Sequence, residues 1–196
     1  LNVKKEIKPL LSCTWNQEMP FKLHTPKDNN VNMPTGCVAT AVSQLMYYNK
    51  WPTKRPSKFV DQSGTNAQKS SVYLWNEIKD NSTQMGEVGK DAVGVLLSDV
   101  GKAVNMKYAA KGSISNMQWA LDALRKNFDY SVKHISKEYM PKGMFYELVI
   151  NELANGYPVL IGESSHSFLL DGIDKQGYIH VNWGWAGEND GWFDLS

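Results

Sequence analysis

The chain has little cysteine: two residues in 196, at positions 13 and 37. Two are too few for a disulfide framework, and without CxxC spacing they offer no zinc site. Charge of one sign is also missing. Twenty-one basic residues against twenty acidic ones give a net charge of +1, mixed along the chain. That leaves no basic face for nucleic acid and no patch for a charged membrane surface. No apolar run reaches the roughly 20 residues of a membrane span, and LNVKKEIKPLL lacks the hydrophobic middle of a signal peptide. HExxH is absent and the four histidines have no ligand spacing, so no metal is expected. The glycines of GWAGENDG follow a strand without opening a helix, so no phosphate-cradling loop and no cofactor are expected either. There is no internal repeat and no low-complexity segment.

What is present is enough for one substantial core. With 42% hydrophobic and 11% aromatic residues, the length suits a single globular unit, residues 1–196. The chain has two textures. From about 34 to 156 apolar residues recur at helical spacing: Val88, Ala92, Leu96, Val100 and Val104, with Val93 and Leu97 beside them, predict one long amphipathic helix. Met117, Leu121, Leu124 and Phe128 form a second stripe, opened by Ser115 with Gln118 three residues later in a capping-box pattern. Met144 to Leu153 forms a third, stopped by Gly156 and Pro158. From about 157, PVLIGE, HSFLLDGID, GYIHVNW and GWFDLS read as short antiparallel strands. The expected fold class is therefore α+β, a helical half meeting a sheet half along a cleft. Residues 52–70, polar and rich in Pro, Ser and Gly, read as a surface loop.

PTGCVATAVSQLMYYNKW places Cys37 directly after a glycine and at the head of an apolar run. A lone cysteine on such a face is most often an inert core residue. Its position argues otherwise. Val38, Ala41, Val42, Leu45 and Met46 continue at helical spacing, which puts the sulfur in the first turn. There, unpaired N–H groups and the positive end of the helix dipole favour thiolate over thiol. A nucleophilic cysteine needs a histidine partner. His24 and His134 lie in polar stretches and read as exposed, and His180 alternates within a strand. His166 begins a strand after Ser164 and Ser165, where its ring can project from the sheet edge into a cleft, and it is the best candidate of the four. Asp171 and Asp174 read as strand-end or turn groups.

Three separated motifs, TGCVATAVSQLMYY, SHSFLLDG and HVNWGWAG, resemble the streptopain family of bacterial cysteine peptidases over most of the chain, from KPLLSCTWNQ to GWFDL. The resemblance implies the papain-like fold and peptide hydrolysis through a thioester. It implies that Cys37 is the nucleophile, His166 the general base and acid, and Gln17 the side-chain donor to the oxyanion beside the Cys37 backbone N–H. By the same match, Trp183 packs on the imidazole and takes over the orienting place, with Asn182 and Trp185 supporting the loop. Gly112, Ser113, Glu163, Ser165 and Trp185 are the expected substrate-cleft walls. An apolar side chain two residues before the cut is the expected preference.

The family often has glycines just before its histidine, where this chain has Ser164 and Ser165. Relatives are secreted bacterial virulence zymogens with an N-terminal prosegment, so the chain resembles their mature catalytic part. They continue past the position of Ser196 into a glycine-rich loop and a closing strand. The implied partners are protein or peptide substrates and an inhibitory prosegment or protein inhibitor, with no nucleic acid and no membrane, acting on a monomer. Cys13 and Cys37 are expected to be free thiols. Two other readings stay open: a peptidoglycan amidase or endopeptidase with the same Cys-then-His order, and a catalytically silent papain-like binding module.

Overall fold

The glycine before Cys37 decides where the central helix begins. In the computed structural model, which describes residues 5–196, Gly36 takes φ +84° as the cap of α1 (Cys37–Asn49). A Cβ there would sit 2.7 Å from the Met106 side chain and 3.0 Å from the Ser113 carbonyl. Only glycine combines that positive φ with so close an approach. Residues 1–4, the head of LNVKKEIKPLL and of the expected 1–196 unit, lie outside the described residues.

Helix α1 is buried continuously from Val38 to Tyr47, as a helix enclosed on all sides must be. It packs on α3 (Glu87–Ala103) on one side and on the sheet on the other. The long helix predicted from the Val88 to Val104 stripe is α3, although Val88 itself is 57% exposed, outside the buried face. Met117–Lys126 forms α4 and Met144–Ala154 forms α5. The cap of α4 is Asn116, whose side chain accepts the Trp119 N–H, and not the expected Ser115, whose hydroxyl instead bonds the Val104 carbonyl.

The predicted strands are β3 (Val159–Gly162), β4 (Ser167–Ile173), β5 (Ile179–Asn182) and β6 (Gly191–Phe193), an antiparallel meander in sequence order. A small hairpin unforeseen in the sequence, β1 (Lys27–Asp28) with β2 (Val31–Asn32), precedes α1. Beyond Val159, where β3 begins, the N-terminal segment takes its place beside β4, through Ile7 and Leu10. Two hydrophobic clusters follow the two textures: one gathers α1, α3 and α4, the other gathers α5 and the sheet, and Leu169 of β4 belongs to the helical one.

The 52–70 stretch is not the plain surface loop its composition suggests. It contains the four-residue helix α2 (Asn66–Lys69), packed against α3, and a buried arginine, Arg55. Its polar residues satisfy backbone and capping groups in place, which is why the segment reads as loop in composition and folds as structure.

Candidate active site

The cap of α1 leaves the sulfur of Cys37 among backbone donors. Cys37 is the first residue of the helix and only partly buried. Burial by itself pushes the thiol up from its ordinary 9.0. The hydrogen bond with His166, the Ser167 N–H, the charge on His166 and the Val38 N–H outweigh that and hold it below. His166 responds in the opposite sense: the interaction with Cys37 raises its pKa above 6.5, burial opposes, and the Trp183 carbonyl and the Glu163 charge add to the rise. Each group therefore favours the other's ionised form, the condition for a thiolate–imidazolium pair.

Geometry also fixes the tautomer of His166. Its Nε2 lies 2.8 Å from the Trp183 carbonyl oxygen. A carbonyl only accepts, so Nε2 carries the proton and donates, and Nδ1 is the nitrogen left for Cys37. The ring stacks on Trp185 at 4.7 Å between centroids and 24° between planes, while Trp183 lies farther off at 6.1 Å. Phe168, beneath, is at 5.9 Å. Aromatic faces around an imidazolium attract its charge and keep water off the pair. The two tryptophans thus divide the work differently from expectation. Trp183 holds the imidazole through its main-chain carbonyl as well as stacking at 6.1 Å, its indole N–H donating to the Asn189 carbonyl, and Trp185 supplies the nearer ring.

Gln17 is fastened to the same helix start. Its main-chain carbonyl accepts the Thr35 N–H, and its side-chain Oε1 accepts the Gly36 N–H at 3.1 Å. Because that partner is a donor, the amide cannot be flipped, and its NH2 group is the end turned away from Gly36. The N–H of Cys37, as the first helical residue, has no intrahelical acceptor. Two N–H donors and an activated sulfur therefore share one helix terminus, an arrangement suited to attack on a carbonyl carbon and stabilisation of the oxyanion that results.

A cavity of about 320 Å³ adjoins these groups, lined in part by Gln17, Pro34, Lys111, Gly112, Gly184 and Trp185. A larger one, of about 680 Å³, shares no residue with it and centres on His24 and Asp91. His24 Nε2 pairs there with Asp91 Oδ1 at 2.7 Å, beside an exposed Lys90–Glu87 pair, so His24 is paired and mostly buried, contrary to its expected exposure. Asp91 also accepts the Thr65 hydroxyl and the Ala67 N–H, which makes it a brace for α2.

Of the expected cleft residues, Gly112 and Trp185 line the smaller cavity, while Glu163 and Ser165 stand exposed in the β3–β4 hairpin turn. Ser113 does not offer its hydroxyl to a ligand: it is buried and donates to the Pro34 carbonyl at 2.7 Å. Asn182, expected to support the loop, does so from behind it and is not among the hydrogen-bond partners of His166. It is buried, accepting from Gln44 and Gly184 and donating to the Cys13 carbonyl. Asp171, expected at a strand end, sits at a register shift inside β4 and pairs with His180 Nδ1 at 2.6 Å. Cys13 and Cys37 are both free, and burial pushes the Cys13 thiol far up. Among the described residues, no cluster of His, Cys, Asp or Glu side chains is arranged to hold a metal ion.

Sequence reasoning missed Gln44, a polar residue on a fully buried helix, and the carboxylate of Asp190, which accepts the Trp183 N–H at 2.9 Å. Gln44 had a visible signal, because it lies seven residues after Cys37 and hence on the same helix face.

The model of the Peptidase C10 family matches residues 15–193. Streptopain of Streptococcus pyogenes is 31% identical over 210 residues, covering 92% of this chain and 53% of streptopain. The thiol protease/hemagglutinin PrtT of Porphyromonas gingivalis is 32% identical over 197 residues, 93% of this chain and 23% of PrtT. The chain thus spans about half of one relative and about a quarter of the other. Among solved structures, active wild-type interpain A cysteine protease of Prevotella intermedia superposes with a TM-score of 0.83 at 31% identity, covering 97% of this chain and 86% of that one. A prointerpain A fragment superposes at 0.85, covering 97% and 65%.

Proposed function

The chain belongs to the peptidase C10 family, and from that premise we propose that it is a cysteine endopeptidase whose residues form one catalytic domain. The observation that carries this reading is the placement of Cys37 at the head of α1 against His166, whose Nε2 is committed to the Trp183 carbonyl so that Nδ1 faces the sulfur and each group favours the other's ionised form. The Cys37 thiolate attacks the scissile carbonyl, and the Gln17 amide and the Cys37 N–H receive the oxyanion. His166 gives its Nδ1 proton to the departing amine. Water, losing a proton to the same nitrogen, then attacks the thioester, and the acid leaves as the ion pair re-forms.

Substrates are proteins or peptides, Gly112 and Trp185 border the place they occupy, and the enzyme acts as a secreted monomer after loss of an inhibitory prosegment. Support for the prosegment is the pro-form of interpain A. No helix among the described residues is long and apolar enough to cross a membrane. The cell-wall amidase and the silent binding module are not favoured, since the relatives above are named as proteases.

The test is alkylation. At mildly acidic pH an ordinary thiol is protonated and slow with iodoacetamide, whereas an ion-paired sulfur reacts. Cys13, buried and raised, serves as the internal control. Peptide mapping is expected to find carboxamidomethyl on Cys37 alone, and changing His166→Ala is expected to slow that labelling. Equal, slow labelling with and without His166 sinks the proposal.

Gln17→Ala removes one oxyanion donor and leaves the other. Such a loss costs about 100- to 1,000-fold in kcat, or ~3–4 kcal/mol. Steady-state kinetics on a fluorogenic peptide are expected to place the loss in kcat with KM little changed, because the donor acts on charge that develops only in the transition state.

A further inference from the structure

His166 is held by a main-chain carbonyl, and a main-chain carbonyl must itself be aimed by something. The Trp183 oxygen belongs to the peptide group that joins Trp183 to Gly184. That group is planar, so fixing its N–H fixes its C=O. Gly184 lies at φ +75°, a conformation in which glycine gives the adjoining peptide group little steric guidance. The guidance comes from Asn182, whose Oδ1 accepts the Gly184 N–H at 3.1 Å. Asn182 is in turn fixed on both sides: its Nδ2 donates to the Cys13 carbonyl at 2.9 Å, and its Oδ1 also accepts Gln44 Nε2 at 3.2 Å. Gln44 Oε1 accepts the Trp15 N–H at 3.1 Å.

We propose that Gln44, acting through Asn182 and the Trp183–Gly184 peptide group, is the positioning residue that aims the His166 imidazole at Cys37. The inference rests on the peptidase reading of the site. No member of the chain can be reversed. The Trp15 N–H demands the oxygen of Gln44, which turns its NH2 to Asn182, and two donors meeting at Asn182 demand its oxygen. Both amides are essentially inaccessible, at 1% for Gln44 and 3% for Asn182, and buried amides satisfied this fully specify a single geometry. Gln44 stands seven residues, close to two turns, after Cys37 on α1. One rigid helix therefore carries the sulfur at its start and, two turns later, the root of the support for the ring. The separation between nucleophile and base is set from both ends by the same element.

Two substitutions test this. Gln44→Met keeps the shape and removes all three side-chain hydrogen bonds, to Asn182, from the Trp15 N–H and from the Cys13 thiol. Gln44→Glu keeps an acceptor for Trp15 and, when ionised, has no proton to give Asn182. For the folded fraction of either, kcat is expected to fall about 10- to 100-fold with KM nearly unchanged, as when a base is misplaced by a fraction of an ångström. The pH profile of Cys37 alkylation is expected to move toward that of a free thiol, a shift that mere loss of stability does not produce. Native kcat per folded molecule with a native alkylation profile in both variants overturns the proposal.

Should neither variant fold, the unaltered protein decides. Nitrogen-15 spectra are expected to find His166 protonated at Nε2, with that proton slow to exchange, and an Nδ1-protonated or freely exchanging ring overturns the relay. If the unaltered protein labels at Cys37 and holds this tautomer yet cuts no peptide, the peptidase reading fails and the positioning chain stands.

Discussion

Cys37→Ala is expected to abolish peptide hydrolysis, by about 100,000-fold or more, while the protein keeps its fold. The size follows from the unity of the machinery. When nucleophile and base act as a pair, losing the nucleophile alone removes nearly all that the pair contributes. The fold is spared because the sulfur is only partly buried at the rim of α1 and alanine suits a first helical turn. Cys13 cannot substitute, since burial holds its thiol protonated.

The variant has a second readout. The interaction with Cys37 is the largest cause of the raised pKa of His166, so proton NMR of Cys37→Ala is expected to find the imidazole titrating closer to 6.5. In the unaltered protein the active ion pair is expected between two ionisations. Activity rises as Cys37 loses its proton, at a pH below 9.0, and falls as His166 loses its own, at a pH above 6.5. The two limbs belong to the pair and not to either residue alone. Hydrolysis that survives Cys37→Ala, with His166 titrating as before, rules out the thioester route.

Much of this site was legible because its logic is local. A glycine before an apolar helical run, with a cysteine as the first helical residue, states where the sulfur sits and why it ionises, and the helix starts at Cys37 as that pattern requires. The strand meander was equally readable, since β-branched and aromatic runs alternate with turn residues. What escaped was everything decided by partners distant in sequence. Asp171 looks like a strand-end acid until the register shift in β4 faces it with His180. Trp183 offers an indole to any reader of the sequence, yet what it gives His166 is a carbonyl, and a carbonyl has no letter. Gln17 was found through family resemblance alone; its bond to the Gly36 N–H joins positions that nothing in their spacing connects. Asn182 supports the loop as the resemblance implies, through the Gly184 N–H, but its buried partners, Gln44 and the Cys13 carbonyl, are remote in sequence.

Arg55 is the clearest instance of meaning hidden by composition, and Arg55→Ala is expected to destabilise the fold by ~3–5 kcal/mol, the range for breaking one side of a buried ion pair. Inside a stretch that reads as polar loop, its side chain is only 2% exposed. Its guanidinium donates to both oxygens of Asp99, at 2.8 and 3.1 Å, and to the carbonyls of Phe59, Ala67, Gln68 and Ser70. Without it, four carbonyls lose a donor and Asp99 on α3 keeps only the Tyr73 hydroxyl at 2.9 Å.

Burial already raises Asp99 above its ordinary 3.8 despite Arg55 and Tyr73, and losing the cation raises it further. A carboxyl whose folded pKa lies above its unfolded one holds more protons when folded, so stability falls as pH rises from 3.8 through the folded value. The gap between the variant and the unaltered protein is therefore expected to be smaller in acid and to widen toward neutrality. Denaturant melts at an acidic and a neutral pH measure both. Replacing the pair together, Arg55→Met with Asp99→Leu, is expected to recover a good part of the loss, because the cost lies mainly in the orphaned charge. Neither Arg55 nor Asp99 touches Cys37, His166 or Gln17, so kcat per folded molecule is expected to hold. A Gap that stays constant across pH would place the loss in the four carbonyls and not in Asp99.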